Sequence, residues 1–336
     1  MTTPEKDYTE AKKLIAECDG EFIDLSELEN LETIPPEIAD FPELRRLDLS
    51  CTAITDLSGL SSLSKLEYLN IAELKIDDLS PLANLHELQR LYFPETKVRE
   101  LAPLANLSKL TALNASFCDI LDLSPIAELS DLGLLRCAAT KVVDISPLAK
   151  LYELHSLDCS ELAISDISAL GYLANLEYLN IAQTKVSDIQ ALSSLKNIEQ
   201  LHLDSLPISN ISAVSEMLSL QKLYCNETQI SDLTPVSDLQ NLEILYCENT
   251  KVDDLTPLLS LKSLRELNIS DCSITVDVPK EFWQGEELQE VYTVEAQIAG
   301  LPTEALREGG LDNCLSYIRA YLFDGKKCLS TRPKLN

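Results

Sequence analysis

Eight aspartates, Asp56, Asp78, Asp122, Asp144, Asp166, Asp188, Asp232 and Asp254, are spaced by multiples of 22 residues. Carboxylates repeated at a fixed interval can stack and ligate a hard cation such as calcium. Most of them, however, lie two residues before a Ser or Thr at the start of a turn, where a carboxylate accepts backbone N–H groups instead. Arg99 and Glu100 also break the series, so capping is the expected role and no metal is assigned. Cys137, Cys159, Cys225 and Cys247 share another position of the same period, and Cys118 and Cys272 a third. No CxxC pair with a companion His or Cys pair accompanies them, which makes them buried core thiols rather than a metal site or a disulfide framework. Of the histidines, His86 and His155 fall near turns. His202 has Asp158 and Asp204 nearby on the expected sheet. A Cys–His nucleophile there needs an exposed thiol, and alternation turns Cys225 inward. No catalytic residue and no cofactor site follow.

These residues are positioned by one unit written ten times from Leu44 to Ser263 without insertion or deletion. Two adjacent copies, LEYLNIAELKIDDLSPLANLHE and LQRLYFPETKVRELAPLANLSK, place apolar residues at positions 1, 4, 6, 11, 14, 17 and 20. That spacing is the signature of a leucine-rich repeat. Alternation over positions 3 to 7 predicts one short strand per unit, with positions 3, 5, 7 and 8 facing out. In segments such as DLSPL the Ser is expected to be an N-cap, followed by a first-turn proline. The fold class is therefore α/β: a right-handed leucine-rich-repeat horseshoe with a parallel sheet on its concave face, helical or 3₁₀ turns on its convex face, and helical caps. The short return between strands points to the internalin-like subclass.

Four regions are expected. Residues 1–43 hold a capping helix over Tyr8 to Cys18 and a degenerate first repeat. The regular repeats occupy 44–263. Residues 264–323 contain irregular last repeats, with Trp283 filling the altered return, and an exit helix through Leu311, Leu315, Ile318 and Leu322 capped by Asp312. Residues 324–336 read as a tail or linker. Charge is strongly unbalanced, 27 basic against 55 acidic residues, a net of −28. A polyanion without a basic stripe is a poor fit to nucleic acid or to an anionic membrane surface. The start, MTTPEKDYTEAKK, lacks the basic and apolar regions of a signal peptide, so a cytoplasmic location is expected.

The two ends carry a resemblance. The opening IDLSELENLETIPPEI (Ile23 to Ile38) and the exit GLPTEALREGGLDNCLSYIRAYLFDGKKCLSTRPKL (Gly300 to Leu335) resemble the repeat region of bacterial Roco proteins. The resemblance implies that a Ras-like Roc GTPase domain and a COR dimerisation domain follow, with Lys334 and Leu335 where the first Roc strand begins. No GxxxxGK[ST] phosphate loop occurs in this sequence, so GTP hydrolysis is not assigned to it.

The function expected is non-enzymatic: binding of a protein partner, or of the Roc-COR module of the same protein, through the concave face. A free-standing internalin-like adhesin or secreted effector is the alternative. Six of the eleven tyrosines, Tyr68, Tyr92, Tyr178, Tyr224, Tyr246 and Tyr292, take the outward positions 3 and 5. Aromatic rings on a rigid sheet suit protein recognition because they supply contact area at low entropic cost. Two groups are expected to bind. One is Arg90, Tyr92, Phe117, Leu134 and Arg136; the other is His202, Lys222, Tyr224, Ile244 and Tyr246, flanked by Glu227 and Glu248. The plainer reading is that tyrosine favours strands and packs against cross-strand neighbours with no ligand.

Overall fold

The computed structural model describes residues 3–18, 20–302, 306 and 314–324. The chain forms two compact units, Met1–Thr184 and Lys185–Asn336. In the first, helix α1 (Pro4–Glu17) begins a turn before the apolar spacing predicts, because the cap sets the start: Thr3 accepts the Lys6 N–H at 3.4 Å and Pro4 opens the first turn. Its buried side chains are Ala11, Ile15 and, unexpectedly, Asp7. The Asp7 carboxylate accepts the backbone N–H and side-chain amide of Asn30 at 2.9 and 3.1 Å, and Lys12 pairs with Glu37 at 2.5 Å. These polar contacts pin α1 to the first coil.

Eight strands of three residues each follow among the described residues: β1 (Phe22–Asp24), β2 (Arg46–Asp48), β3 (Tyr68–Asn70), β4 (Arg90–Tyr92), β5 (Ala112–Asn114), β6 (Leu134–Arg136), β7 (Ser156–Asp158) and β8 (Tyr178–Asn180). Each is parallel to the next and in register, so that Tyr68, Arg90, Ala112 and Leu134 form one row and Asn70, Tyr92, Asn114 and Arg136 another. The middle residue of every strand, from Leu47 to Leu179 along the regular repeats, points into a core that is fully excluded from solvent. Short 3₁₀ turns such as Ser80–Leu82 return the chain to the next strand. This is the leucine-rich-repeat solenoid that the 22-residue spacing predicts.

Three features recur from coil to coil and were only partly readable from the pattern. The Ser of DLSPL is not the cap. Asp78 is: its carboxylate accepts the Ser80 N–H at 2.7 Å and the Ser80 hydroxyl at 2.6 Å, and no side chain at the cap position itself bonds the turn. Asp122, Asp166, Asp232 and Asp254 accept the N–H two residues on in the same way, and Asn210 does so for Ser212. Position 9, given no core role by the spacing rule, is buried in all these coils but one, where Thr250 is half-buried. Where it is Thr, the hydroxyl bonds the carbonyl of position 6, as in Thr96 to Phe93 at 3.0 Å and Thr228 to Cys225 at 2.8 Å. Position 8 takes a left-handed backbone, with φ between 50° and 61° at residues as unlike as Cys51, Phe117, Glu161 and Asn249. That turn aims its N–H at the carbonyl of position 7 in the next coil, as from Glu73 to Pro94 at 2.9 Å.

The second unit continues the plan with β9 (Gln200–His202), β10 (Lys222–Tyr224), β11 (Ile244–Tyr246), β12 (Glu266–Asn268) and β14 (Glu290–Tyr292). Between the last two lie β13 (Ser273–Ile274) and helix α2 (Lys280–Trp283); β13 pairs with β15 (Gln297–Ile298) as a separate two-stranded sheet. Trp283 is buried, as its place in the altered return predicts. Helix α3 (Leu315–Asp324) buries Leu315 and Ile318. Its Arg319 donates to the carbonyls of Trp283, Gly285 and Leu288 at 2.6, 2.9 and 3.1 Å, which ties the helix to the last coil. The expected cap Asp312, the helix start at Leu311, and Lys334 and Leu335 lie outside the described residues.

Candidate functional site

The outward side of the strands carries the candidate residues, and each unit presents its own group. Positions 3 and 5 are open or half-buried apart from Ala112 and Asn268, which are buried, but position 7 is not uniformly the free surface expected of it. Ser50, Ser116, Ala138 and Ser160 are buried there, whereas Pro94, Asn226 and Glu248 at the same position are half-buried.

In the first unit Tyr92, Leu134 and Arg136 come together, lining with Asn70, Pro94 and Asn114 a depression of about 370 Å³. Arg90 lines a second hollow, of about 730 Å³, that shares Tyr92 and Leu134 and adds Asp131, Glu153 and His155. Gly133 lies close beneath the imidazole: a Cβ there would stand 2.5 Å from Cε1 of His155, so the exposed ring would have to turn away. Phe117 lines neither hollow. It sits at left-handed position 8 with its ring 55 % exposed. The pattern also missed a neighbouring stack. The Arg46 guanidinium lies 5.2 Å from the Phe22 ring centre and 5.3 Å from that of Tyr68, and Tyr68 meets Tyr92 edge-on at 5.6 Å. Burial raises the Tyr68 phenol above its ordinary pKa, with Asp48 adding to the shift. The signal available in sequence was an aromatic or arginine at position 3 in three consecutive coils.

In the second unit three of the predicted residues, His202, Tyr224 and Tyr246, form a continuous aromatic row with Tyr292. His202 stacks on Tyr224, centroids 4.4 Å apart and planes 6° from parallel. Tyr224 meets Tyr246 edge-on at 5.2 Å, and Tyr246 meets Tyr292 at 6.2 Å. His202 also lies 2.6 Å from the Gln200 amide and 3.8 Å from Asp204. Cys225 is fully buried, so its thiol is not available to the imidazole. Lys222 and Ile244 are half-buried beside the row. Two carboxylates not singled out by the pattern complete it: Tyr246 donates its hydroxyl to Glu266 at 2.9 Å, and Tyr292 donates to Glu290. Burial first, then the bond to Glu266, raises the Tyr246 phenol, and burial does the same at Tyr224. Behind these side chains an amide ladder fixes the next row. Asn226 donates to Asp204 at 2.7 Å, Glu248 N–H to Asn226 at 2.9 Å, and Asn268 to Glu248 at 2.9 Å. Such faces can offer aromatic area, charge and a fixed geometry.

Models of leucine-rich repeats match residues 42–84 and 218–260 (Leucine Rich repeats, 2 copies) and 263–284 (Leucine Rich Repeat). No curated protein matches the sequence. Among solved structures, an internalin (inlF) from Listeria monocytogenes is similar at 28 % identity and a TM-score of 0.78, over 87 % of this chain and 84 % of that one. A leucine-rich-repeat protein of Leptospira interrogans aligns at 20 % identity and a TM-score of 0.75, over 87 % and 82 %. A plant peptide hormone receptor, RGFR1 in complex with RGF2, aligns at 17 % identity and a TM-score of 0.62, over 82 % of this chain and 53 % of that chain.

Proposed function

We propose that the chain is a non-enzymatic interaction domain that docks a protein partner on the outward face of its strands. The observation that carries this reading is the aromatic row His202, Tyr224, Tyr246 and Tyr292, held rigid by stacking and by hydroxyl bonds to carboxylates. Rigid aromatics are the side chains that most often dominate protein interfaces. A receptor of the same fold in complex with RGF2 is in keeping with it. The test is photo-crosslinking in the native host, with a benzoylphenylalanine in place of Tyr92 or Tyr224 and, as reference, of Tyr152 near a turn. Adducts at the two strand positions and none at Tyr152 are expected; the reverse pattern removes the reading.

The narrower assignment is to the repeat module of a Roco-type GTPase, resident in the cytoplasm, where buried thiols stay reduced. It rests on the likeness of residues 23–38 and 300–335 to that family. Mixing the chain with a purified Roc-COR module should give a complex that R90E/R136E weakens without lowering the melting temperature, since exposed substitutions change stability by under about 0.5 kcal/mol. Absence of any complex removes this assignment and leaves the broader one standing. The 28 % identity to an internalin favours a second reading, an adhesin or secreted effector. Protease treatment of intact cells separates the two, because only an exposed adhesin is digested.

A further inference from the structure

The end of the second unit holds more chemistry than a generic docking face needs. Tyr246 and Tyr292 are not on neighbouring strands: β12 lies between them, with Asn268 in register with both. Their rings nevertheless lean to within 6.2 Å over Asn268, planes 70° apart. Each hydroxyl donates to a carboxylate, Tyr246 to Glu266 and Tyr292 to Glu290, and those two glutamates are themselves paired across adjacent strands. Asn268 holds Glu248 on the other side at 2.9 Å. An edge-to-face pair of electron-rich rings, with three carboxylates around it, makes a cradle for a cation. A phenol that donates to a carboxylate carries more negative charge on its ring, which strengthens the attraction for an ammonium or guanidinium group above it.

The surroundings agree in sign. On the outward positions of β10 to β14 and the residues that follow each strand, Lys222 is the only base, against Glu227, Glu248, Glu266, Asp271, Glu290 and Glu295. Those charges stand on a chain of net −28, so a basic partner is drawn in over a distance and an acidic one is repelled.

Resting on the interaction reading above, we infer that this cradle takes a lysine or arginine side chain from an extended basic segment of the partner protein. The aromatic pair covers the aliphatic stem and the near face of the cation, while Glu266 and Glu290 accept its N–H groups. Lys222 limits the basic subsite to the β11–β14 end, and His202 with Tyr224 offers a flat neighbour for an apolar residue of the same segment.

The test is fluorescence anisotropy of the full chain with a labelled peptide of alternating lysine and serine at about 0.15 M salt. Its lysine-acetylated form serves as the control. The lysine peptide should bind and the acetylated one should not. E266Q/E290Q keeps an acceptor for each tyrosine and removes two charges; it should weaken binding by about tenfold, and Y246L by a similar factor. E216Q/E281Q, which removes the same charge from exposed sites near the turns, should change it by no more than about twofold. Equal losses in the two double variants mean diffuse attraction to a polyanion and overturn the cradle. Equal binding of the acetylated peptide does so as well. Because the glutamine variant preserves the packing, the result stands even if Y246L fails to fold. Should the cradle fail while crosslinks from Tyr92 or Tyr224 persist, the docking face survives without a cationic preference.

Discussion

At position 8 of each coil the backbone is left-handed, a conformation that costs an L-residue about 1–2 kcal/mol. Evolution has left Glu at Glu73, Glu95, Glu161, Glu227 and Glu295 and only once the tolerant Asn, at Asn249. Glu161→Asn should therefore raise the urea midpoint, by up to about 1 kcal/mol in stability, whereas Glu161→Val should lower it, since β-branched residues fit this region worst. No sequence rule exposes the position, because glycine, its usual marker, is absent from it. The capping aspartates were legible as acceptors of backbone N–H groups, and they are; what failed was the reading of the Ser or Thr as an N-cap of its own. The Ser after the carboxylate looked like the donor-seeking residue, whereas the carboxylate's longer reach lets it take both N–H and O–H. Bonds from Ser80, Ser124 and Thr234 depress the pKa of Asp78, Asp122 and Asp232. A depressed carboxylate adds stability that is complete above its ordinary value near pH ~4 and disappears as pH falls through the folded value. Replacing these three by Asn, the residue that caps in the same way at Asn210, should preserve stability at pH ~7 and flatten the loss as pH falls below about 4 in urea titrations.

At the level of the element, each strand contributes only three residues, too few to stand alone. Its place is fixed by neighbours in register. That was readable from the alternation of Tyr68, Leu69 and Asn70, and so was which side each residue faces. The closing pieces were not. Trp283 was expected to fill the altered return, and it does, but nothing in its surroundings in sequence reveals that Arg319 locks it. The guanidinium takes the carbonyl that ends the short α2 and two from the segment after it, at Gly285 and Leu288, a contact spanning more than thirty residues. Arg319→Ala should cost about 2 kcal/mol, the scale of hydrogen bonds to a charged group. As the only tryptophan, Trp283 reports the change directly: its emission should shift to the red before the far-UV signal of the strands is lost. Coincident transitions would mean that the last coil unfolds with the other strands as one unit, so that Arg319 does not hold it separately. The aromatic rows show the same division. Their residues could be chosen from positions 3 and 5, but the carboxylates Glu266 and Glu290 escaped notice because a side chain's partner depends on lean and rotamer, not on period.

For the molecule as a whole, stability is a sum of contacts between adjacent coils, since no coil encloses a core alone. Leu157, fully buried in β7, should cost about 2–5 kcal/mol when truncated to Ala, read as a lower urea midpoint. The excess of acidic side chains opposes compaction, so the midpoint should rise as sodium chloride goes from about 0.01 to about 0.15 M. A fall would mean that ion pairs such as Lys141–Asp119 outweigh the general repulsion. Architecture was legible because period alone decides it. Binding was less so, since an outward tyrosine reads the same whether or not anything touches it. The strict register has one more implication. The backbone bonds between coils recur at the same pairs of positions, Gly133 to Thr111 as Thr111 to Gln89 and Cys51 to Ala72 as Glu73 to Pro94, so the cut ends of a whole coil are interchangeable. A gene that lost codons 110–131 would still close the ladder, setting Tyr92 directly beside Arg136 where Asn114 now intervenes. New recognition surfaces can thus arise by recombination between coils, one step at a time, with no point mutation at all.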